Sequence, residues 1–587
     1  APANSLNNIV WIWRHPLKKH DFVVRFGGEG GAGLLTVVTA MSQAAAEVGY
    51  HVQTFATFPS QIRGGPTWFQ LRISTSDILS SGDELDALVA FNQEAYEQHR
   101  SEVSDSGVII YNSEEFELDD DGKSFGMQFD ELAKTTGNNR AANFVVMGAL
   151  AHLVDLPMSI LETFNKEKYT RGRPSDEQIV SSNNHALKLG KEEAIKSGFS
   201  LGELAEPNKP DVEQILVNGN EAISLGAMAA GVEFFVGYPI SPATTILIWM
   251  EKNLVGPDKI AYQATSEIES ITSILGAGYS GKKAMTSTAG PGFSLMSEGL
   301  GLGWMAEIPV VVANIQRGGP STGLPTKTEQ SDLLTAITPS HGDISLPVIA
   351  PGTVEECFYA AVEAFNWAER YQGPVVLLSE HALSERQKNV PMPKIQDLKI
   401  EKRKVYEGTN GYQRYDSAEL SPMPIPGNPG GYVANGSEHD GIGDTTHLPA
   451  RHVQMTERRF SKLKLLQNGH YEEKNSEASI VIMPWGGSKG PAQEAYEQIS
   501  KDRSEIGWAY TMFLNPLPVE LIKALKTKSL VIVPELNYQG QFSSVLRSQG
   551  INAISINQYT GLPFKVKDLI TQITKLTSEH ARQGTSK

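Results

Sequence analysis

The sequence predicts an α/β protein with several domains built on parallel sheets. Between residues 231 and 332, short apolar runs alternate with stretches of helical periodicity. The run at residues 234–236 is interrupted by Tyr238, and the run at residues 310–313 is interrupted by Arg317. Ligands of such sheets lie beyond the carboxyl ends of the strands, so we expect the site where these runs end.

The domain organisation follows from length and from changes in composition. The 587 residues indicate roughly three to five domains of ~100–200 residues each. The predicted divisions are an α/β domain at residues 1–200, a linker at 201–213, an α/β domain at 214–385, an irregular connector at 386–475 and an α/β domain at 476–587. The connector is rich in Pro, Gly, Asn and Asp, but we expect it to be ordered because its tyrosines (Tyr406, Tyr412, Tyr415 and Tyr432) can pack on neighbours.

Composition favours a cytoplasmic protein without nucleic-acid or membrane partners. The formal net charge is −16 and no long basic block occurs. We find neither a run of ~18 apolar residues nor a signal peptide. The single cysteine, Cys357, excludes an internal disulfide. It also excludes an iron–sulfur cluster held by this chain alone, because such clusters commonly need about four thiolates.

A glycine-rich loop at residues 27–33 lies between a predicted strand, DFVVRFGG, and an Ala-rich helical stretch. In this setting backbone amides at a helix start can bind a phosphate. Glycines that permit close packing of helix on strand are the alternative interpretation. A dinucleotide-dependent dehydrogenase is disfavoured, because GGEGGAG departs from GxGxxG and the next strand, HVQTFATF, ends without an acid.

Three motifs carry a family resemblance: YPISPATT, ATSEIES and NIQRGGPSTGLPTKTEQSDL. With them the chain resembles the alpha subunit of a 2-oxoacid:ferredoxin oxidoreductase, closest to the 2-oxoglutarate:ferredoxin oxidoreductase (2-oxoglutarate synthase) type. Residues 1–200 resemble the family's gamma module through FGGEGGAGLL and FPSQIRGGPTWFQLRIS. The resemblance implies a thiamine diphosphate pyrimidine-binding domain at 214–385 and a transketolase-C-like domain at the end, with gamma and alpha fused in one chain.

The resemblance also implies a partner. Members of this family bind the diphosphate and its divalent cation through a GDG motif, yet this sequence contains GDE, GDI and GDT but no GDG. The expected arrangement is therefore a thiamine diphosphate shared with a beta subunit that carries Mg²⁺ and a [4Fe–4S] cluster. Ferredoxin as electron acceptor and an (alpha-beta)2 heterotetramer are further implications.

The implied reaction converts 2-oxoglutarate, coenzyme A and oxidised ferredoxin to succinyl-coenzyme A, carbon dioxide and reduced ferredoxin. A low-potential acceptor would allow the reverse, reductive direction. Pyruvate, a branched 2-oxoacid or several oxoacids are alternative substrates. A non-catalytic assembly subunit is an alternative of another class, against which the presence of Ser241, Glu267 and Arg317 argues.

The predicted catalytic residues are Glu267, which lies in Thr265-Ser266-Glu267, together with Ser241 and Arg317. The resemblance implies that the Glu267 carboxylate hydrogen-bonds to the aminopyrimidine ring of thiamine diphosphate. A single Glu on a helix is more often part of a solvated face. The apolar residues Ile268, Ile271 and Ile274 that follow indicate a half-buried helix start instead, and Glu269 is the nearest competing carboxylate.

The remaining candidates surround the substrate and coenzyme A. By resemblance, Arg317 holds the 1-carboxylate or 2-oxo end, with Ser241 beside it, although a surface ion pair and a capping hydroxyl are the structural alternatives. The hydroxyls and charge of STGLPTKTEQ favour a dicarboxylic oxoacid over pyruvate. The other predicted positions are Tyr238, Pro239 and Ile240 on the pyrimidine side; Ser321, Thr322, Thr326 and Lys327 at the second carboxylate; Ser60, Arg63 and Gly64 at coenzyme A; and His341 as a structural histidine.

Overall fold

The computed structural model describes residues 18–31, 33–58, 65–119, 121–416 and 420–585. The chain forms two compact units. The first consists of Ala1–Thr54, Arg63–Ile78 and Glu84–Pro210, and the second of Phe55–Ile62, Leu79–Asp83 and Asp211–Lys587. Each contains helices packed on sheets, which confirms the α/β class predicted from the sequence.

The first unit contains strands β1–β8 and helices α1–α6. The strands are β1 (Lys18–Lys19), β2 (Asp21–Glu29), β3 (His51–Thr57), β4 (Pro66–Ser74), β5 (Leu85–Ala90), β6 (Val103–Asn112), β7 (Ser124–Met127) and β8 (Glu203–Leu204). The helices are α1 (Leu34–Val48), α2 (Gln93–His99), α3 (Phe129–Thr135), α4 (Ala142–Leu153), α5 (Met158–Tyr169) and α6 (Asp176–Ser197).

The main sheet of this unit has the order β7-β6-β5-β2-β4-β3. Strands β2, β5, β6 and β7 are parallel, whereas β4 runs antiparallel to β2. The sheet is therefore mixed rather than purely parallel. The expected linker also contributes structure, since β8 pairs with β1.

The second unit contains the remaining elements. Its strands are β9 (Gln214–Asn218), β10 (Phe234–Gly237), β11 (Ile260–Gln263), β12 (Ala284–Thr288), β13 (Val310–Gln316), β14 (Val348–Ile349), β15 (Pro374–Glu380), β16 (Gln387–Pro391), β17 (Glu472–Lys474), β18 (Ile480–Ile482), β19 (Ile506–Tyr510), β20 (Phe513–Asn515), β21 (Leu530–Glu535) and β22 (Ala553–Asn557).

The helices of the second unit cover both faces of its sheets. They are α7 (Gly219–Ala229), α8 (Thr244–Asn253), α9 (Glu267–Tyr279), α10 (Gly290–Leu295), α11 (Ser297–Met305), α12 (Leu333–Ile337), α13 (Val354–Tyr371), α14 (His381–Ser384), α15 (Pro449–Ser461), α16 (Lys489–Ile499), α17 (Val519–Lys526), α18 (Gln541–Ser548) and α19 (Val566–Thr585).

Two sheets form the centre of the second unit. The larger has the order β11-β10-β12-β13-β15-β14-β20 and is parallel except at β20. The smaller has the order β17-β19-β18-β21-β22 and is parallel except at β17. Every residue of β13 is buried, as expected for a central strand covered on both faces.

The connector predicted at residues 386–475 is anchored by a buried ionic cluster. The Glu307 carboxylate forms ion pairs with Arg458 and Lys462: Oε1 lies 2.9 Å from Arg458 Nε, and Oε2 lies 2.9 Å from Lys462 Nζ. All three side chains are less than a tenth exposed. Burial opposes ionisation of Glu307, but Lys462 and Arg458 outweigh it and hold the pKa of this carboxyl well below its usual range. Tyr415 and Tyr432 are buried nearby, so an irregular sequence here forms part of the packed structure.

Candidate active site

The predicted site residues lie at the carboxyl edge of the larger sheet. The chain leaves β10 toward the edge strand β11 and then returns to the other side of β10 as β12. The strand order therefore reverses between β10 and β12, which is the position where open parallel sheets bind ligands. The segments following β10, β12 and β13 supply the side chains described below.

Glu267 is the first residue of α9 and is only 6% exposed. Among the described residues, none hydrogen-bonds to its carboxylate. A Cβ atom added to Gly292 would lie 2.5 Å from Glu267 Oε1 and would also meet Thr288 Oγ1. The carboxylate is thus held between the end of β12 and the start of α10, with its hydrogen-bonding capacity unused.

Glu269, the competing carboxylate, has a structural function. Its Oε2 accepts the Thr265 backbone N–H at 2.7 Å and the Thr265 hydroxyl at 2.6 Å. The Ser266 hydroxyl caps α9 by accepting the Glu269 N–H at 3.2 Å. These two hydrogen bonds from Thr265 lower the pKa of Glu269. The two glutamates at this helix start therefore differ: one serves the cap and the other faces the site.

Arg317 follows β13 and is 8% exposed. Its Nη1 donates to the Ser241 carbonyl at 2.8 Å, which joins the segments after β13 and β10. Its Nε is buried and has no partner among the described residues. Burial lowers the pKa of Arg317, and the charge of Asp332 acts in the opposite direction. The guanidinium is fixed at one end and retains unused donors.

Asp332 is a site residue that the sequence alone did not single out. Its Oδ2 accepts Asn314 Nδ2 at 3.0 Å, and its backbone N–H donates to Gln316 Oε1 at 3.0 Å. Burial raises its pKa, while the bond from Asn314 and the charge of Arg317 lower it. A Cβ added to Gly290 would lie 3.2 Å from Oδ2, so this carboxyl also borders the start of α10.

Residues 321–327, predicted to bind the second carboxylate of the substrate, have side chains in different environments. Ser321 and Thr322 are exposed. The Thr326 hydroxyl donates its proton to the Phe58 carbonyl at 2.6 Å, which leaves only its lone pairs for a ligand. Lys327 is half-buried, its pKa is lowered by burial, and it makes no ion pair with any described residue. Lys327 is therefore the strongest candidate donor of this loop.

The residues predicted on the pyrimidine side lie within the segment between β10 and α8. Tyr238 is 38% exposed, and Pro239 and Ile240 are half-buried. The Ile240 carbonyl accepts the Thr244 N–H at 3.0 Å as α8 begins. Ser241 is exposed, so its hydroxyl is accessible while its carbonyl is bound by Arg317.

The predicted coenzyme A positions Ser60, Arg63 and Gly64 lie outside the described residues. In the neighbouring glycine-rich segment, Gly27 and Gly28 belong to β2. A Cβ on Gly27 would lie 2.8 Å from the Ala95 Cβ, so this glycine permits α2 to pack on the strand. Gly33 has φ 76° at the start of α1, a conformation that favours glycine.

His341 is exposed and lies beside a cavity of about 700 Å³ lined by α11, the segment after α12, the connector and α15. Ser340 Oγ is 3.4 Å from its Nδ1. It is therefore an exposed histidine, and its role as a structural histidine stays a prediction.

Comparison with known proteins identifies the class to which this fold and site belong. Residues 225–458 match the family described as pyruvate flavodoxin/ferredoxin oxidoreductase, thiamine diphosphate-binding, and residues 23–193 match pyruvate ferredoxin/flavodoxin oxidoreductase. The chain is 32% identical to 2-oxoglutarate oxidoreductase subunit KorA of Mycobacterium tuberculosis, over 94% of this chain and 90% of that protein. It is 35% identical to 2-oxoglutarate synthase subunit KorA of Methanocaldococcus jannaschii, over 55% of this chain and 88% of that protein.

A solved structure is similar over almost the whole chain. It is 2-oxoglutarate:ferredoxin oxidoreductase from Magnetococcus marinus with 2-oxoglutarate, coenzyme A and succinyl-CoA bound, with 35% identity, a TM-score of 0.90, and coverage of 95% of this chain and 100% of that one. The chain belongs to the 2-oxoacid:ferredoxin oxidoreductase family, and its thiamine diphosphate-binding domain follows an N-terminal domain of the same family. This confirms the family predicted from the three motifs. Within the described residues, no helix has both the length and the apolar character needed to cross a membrane.

Proposed function

We propose that this chain is the fused gamma–alpha subunit of a thiamine-dependent 2-oxoglutarate:ferredoxin oxidoreductase. The reaction is the oxidative decarboxylation of 2-oxoglutarate with coenzyme A to succinyl-coenzyme A and carbon dioxide, with reduction of ferredoxin. The observation that carries the proposal is the buried carboxylate of Glu267 at the switch point of the sheet, which has no hydrogen-bond partner in the part of the chain that the structure describes. A buried acid is normally paired, so an unpaired one indicates a missing ligand.

The residues present fit the pyrimidine half of thiamine diphosphate. Gly292 provides a surface beside Glu267 that any side chain would fill. Tyr238, Pro239 and Ile240 line the adjoining segment and offer partly exposed apolar surface to a ring. When bound, thiamine diphosphate supplies the electron sink that permits a 2-oxoacid to lose carbon dioxide.

The contribution of this chain is to hold a proton and to orient the substrate. Glu267, only 6% exposed, would hold a proton at its carboxylate for the ring nitrogen of a bound pyrimidine. Arg317, anchored by the Ser241 carbonyl, presents its free N–H groups to the 1-carboxylate or the 2-oxo oxygen. The exposed Ser241 hydroxyl would add a further polar group for the substrate.

The second carboxylate of 2-oxoglutarate is assigned to the loop that follows Arg317. Lys327 supplies the charge, because it is half-buried and makes no ion pair among the described residues. Ser321 and Thr322 supply hydroxyl donors, and the lone pairs of Thr326 can bind only a donor or water. This choice is also supported by the similarity to the Magnetococcus marinus enzyme, whose structure holds 2-oxoglutarate.

The proposal includes a separate beta subunit that binds the diphosphate, Mg²⁺ and a [4Fe–4S] cluster, and that passes electrons to ferredoxin. Two observations support this subunit: the sequence contains no GDG motif, and the relatives are each named as one subunit, KorA, of their enzyme. Coenzyme A is assigned to the N-terminal domain at Ser60, Arg63 and Gly64. An (alpha-beta)2 heterotetramer in the cytoplasm completes the assembly.

A panel of oxoacids tests this function. The chain is co-expressed anaerobically with the proposed beta subunit, and viologen reduction is measured with coenzyme A and 2-oxoglutarate, pyruvate or branched 2-oxoacids. We expect strong preference for 2-oxoglutarate and no activity from this chain alone. Preference for pyruvate would overturn the substrate assignment, and a cluster-loaded complex that is inactive with every oxoacid would favour an assembly subunit.

A further inference from the structure

A cleft of about 690 Å³ opens in the first unit between two loops that connect helices. Residues 136–141 join α3 to α4 and carry Arg140, and residues 170–175 join α5 to α6 and carry Arg171 and Arg173. None of the described residues that line the cleft is acidic. Three arginines without a lining carboxylate are unusual in a chain whose net charge is −16.

Two of the three guanidinium groups are available to a ligand. That of Arg140 makes no hydrogen bond or ion pair with any described residue. The Arg171 guanidinium donates only its Nε, to the Lys168 carbonyl at 3.1 Å, so its terminal nitrogens remain free within the described part of the chain, while its backbone N–H donates to Asp176 Oδ2 at 2.5 Å. Arg173 is different, because its Nε donates to Asp176 Oδ1 at 3.1 Å and its position is thereby fixed.

The local potential is positive for further reasons. Burial lowers the pKa of Lys168, and repulsion by Arg171 lowers it further. Helices α4 and α6 both begin beside the cleft, and neither has a side-chain cap at its first turn. Helix starts carry partial positive charge and free N–H groups, so the start of α4 adds to the attraction for an anion, whereas Asp176 and Glu177 in the first turn of α6 offset the contribution of that helix.

The walls of the cleft are held in place by hydrogen bonds and aromatic contacts. Asn183 is 1% exposed, and it accepts Asn138 Nδ2 at 2.9 Å while donating to Asn165 Oδ1 at 2.8 Å. Phe144 and Tyr169 meet edge to face with ring centroids 5.8 Å apart. Arg171 lies 5.9 Å from the Tyr169 ring centroid. A polar floor, an aromatic wall and free guanidinium groups suit an anion that carries an apolar or planar substituent.

We propose that this cleft binds a phosphate ester, with Arg140 and Arg171 as the charged donors and Tyr169 as the wall for the attached group. Arginine suits this ligand because its planar fork matches two phosphate oxygens. The ester has two sources: the phosphates of coenzyme A, a choice that depends on the proposed function, or a separate phosphorylated metabolite. The nearby carboxylate of Asp176 is bound by Arg173 and makes no hydrogen bond to the guanidinium group of Arg140 or Arg171 among the described residues.

Calorimetric titration of the chain assembled with its beta subunit tests the site. The probes are coenzyme A, dephospho-coenzyme A, adenosine 3′,5′-bisphosphate and inorganic phosphate. The test variant is Arg140→Gln/Arg171→Gln. The control is Lys188→Gln/Lys191→Gln, which removes the same charge from exposed positions of α6. We expect the affinity for adenosine 3′,5′-bisphosphate to fall about tenfold or more in the test variant, because charge-assisted hydrogen bonds are lost. The control variant should bind it with nearly unchanged affinity.

The outcomes separate the two sources. If the test variant weakens coenzyme A far more than dephospho-coenzyme A, the cleft holds the 3′-phosphate of that substrate. If it weakens the bisphosphate but leaves coenzyme A unchanged, the cleft serves another phosphate ester. Equal affinities in test and control variants overturn the proposal. Should the glutamine variant fail to fold, Arg140→Lys/Arg171→Lys keeps the charge and is expected to weaken binding less.

This measurement is independent of turnover. Binding is titrated without a 2-oxoacid, so a complex that is inactive with every oxoacid but binds the bisphosphate at Arg140 and Arg171 refutes the proposed function alone. A complex that oxidises 2-oxoglutarate normally and shows no arginine-dependent binding refutes the cleft alone.

Discussion

Glu267 and Gly292 approach so closely that a side chain at the glycine position would displace the Glu267 carboxylate. Glu267 Oε1 lies 2.5 Å from the place that a Cβ atom of Gly292 would occupy. Real Cβ atoms do not tolerate such a distance, so the glycine fixes the position of the carboxylate from the side of α10. Through this contact Gly292, which follows β12, lies directly against the carboxylate of Glu267 that we propose holds a proton.

Gly292→Ala is expected to displace the Glu267 side chain and to reduce oxidoreductase activity at least tenfold. Thiamine diphosphate affinity should fall as well, because the added methyl narrows the surface beside the carboxylate. The matched control is Gly276→Ala on α9, where an added Cβ meets nothing within 4 Å. The control should keep activity and gain up to about 0.8–1 kcal/mol from helix propensity. Assays of the assembled complex and thermal unfolding measure both, and full activity of Gly292→Ala would contradict the account.

Arg317 and Lys327 are expected to bind different carboxylates of 2-oxoglutarate, so their substitution should change KM in different ways. Arg317→Gln keeps an N–H donor for the Ser241 carbonyl but removes the charge, so KM should rise for both pyruvate and 2-oxoglutarate. Lys327→Gln should raise KM for 2-oxoglutarate while leaving pyruvate nearly unchanged. Each lost charge-assisted hydrogen bond is worth about 1.5–3 kcal/mol, which is roughly 10- to 150-fold. Steady-state kinetics with both oxoacids provide the test, and parallel changes in the two variants would refute the division of roles.

Glu380, at the carboxyl end of β15, should make stability dependent on pH. Burial raises its pKa to about 7, although Arg386 and Gln330 oppose the shift. Because the folded state binds this proton more tightly than the unfolded state, the stabilising contribution is present below pH ~4.5 and is lost as pH rises toward 7. Glu380→Gln should therefore flatten the decline in unfolding free energy between pH 5 and 8. Denaturant titrations at several pH values measure it, and an unchanged slope would count against a buried acid here.

Glu307 is expected to be essential for anchoring the connector. Glu307→Gln leaves Lys462 and Arg458 buried without their counter-charge, which should cost about 3–5 kcal/mol. Glu520→Gln, which breaks the exposed pair with Lys523, serves as a control and should have little effect. Chemical denaturation compares the two. Similar small losses would mean that the ionic cluster does not hold residues 449–466 in place.

Local patterns were sufficient for much of the fold and for part of the site. Each strand end of the thiamine diphosphate-binding domain coincides with a local break such as Tyr238-Pro239, so the carboxyl edge could be predicted. The structural role of Glu269 also had a sequence signal, because Ser266 and Glu269 have the spacing of a capping box. The parallel order of β10–β13 followed from the alternation of strands and helices.

The remaining features depend on residues far apart in the sequence. Asp332 carried no signal in the sequence, and only its contact with Asn314 and its proximity to Arg317 reveal that it borders the site. The Thr326 hydroxyl is taken by Phe58, more than 260 residues earlier. The ionic contacts of Glu307 with the connector are likewise non-local. Such pairings are set by tertiary packing, which hydrophobic periodicity does not encode.

The most direct test of the central claim compares Glu267→Gln with Glu269→Gln in the complex with the beta subunit. Both substitutions remove one carboxylate from the first turn of α9, but only Glu267 faces the proposed cofactor. Glu267→Gln should lower kcat with 2-oxoglutarate by about 10²–10⁴-fold with no loss of thermal stability, since its carboxylate makes no hydrogen bond among the described residues. Glu269→Gln should lower the Tm slightly and retain activity. Full activity of Glu267→Gln, or equal losses in both variants, would contradict the assignment of the thiamine site to this helix.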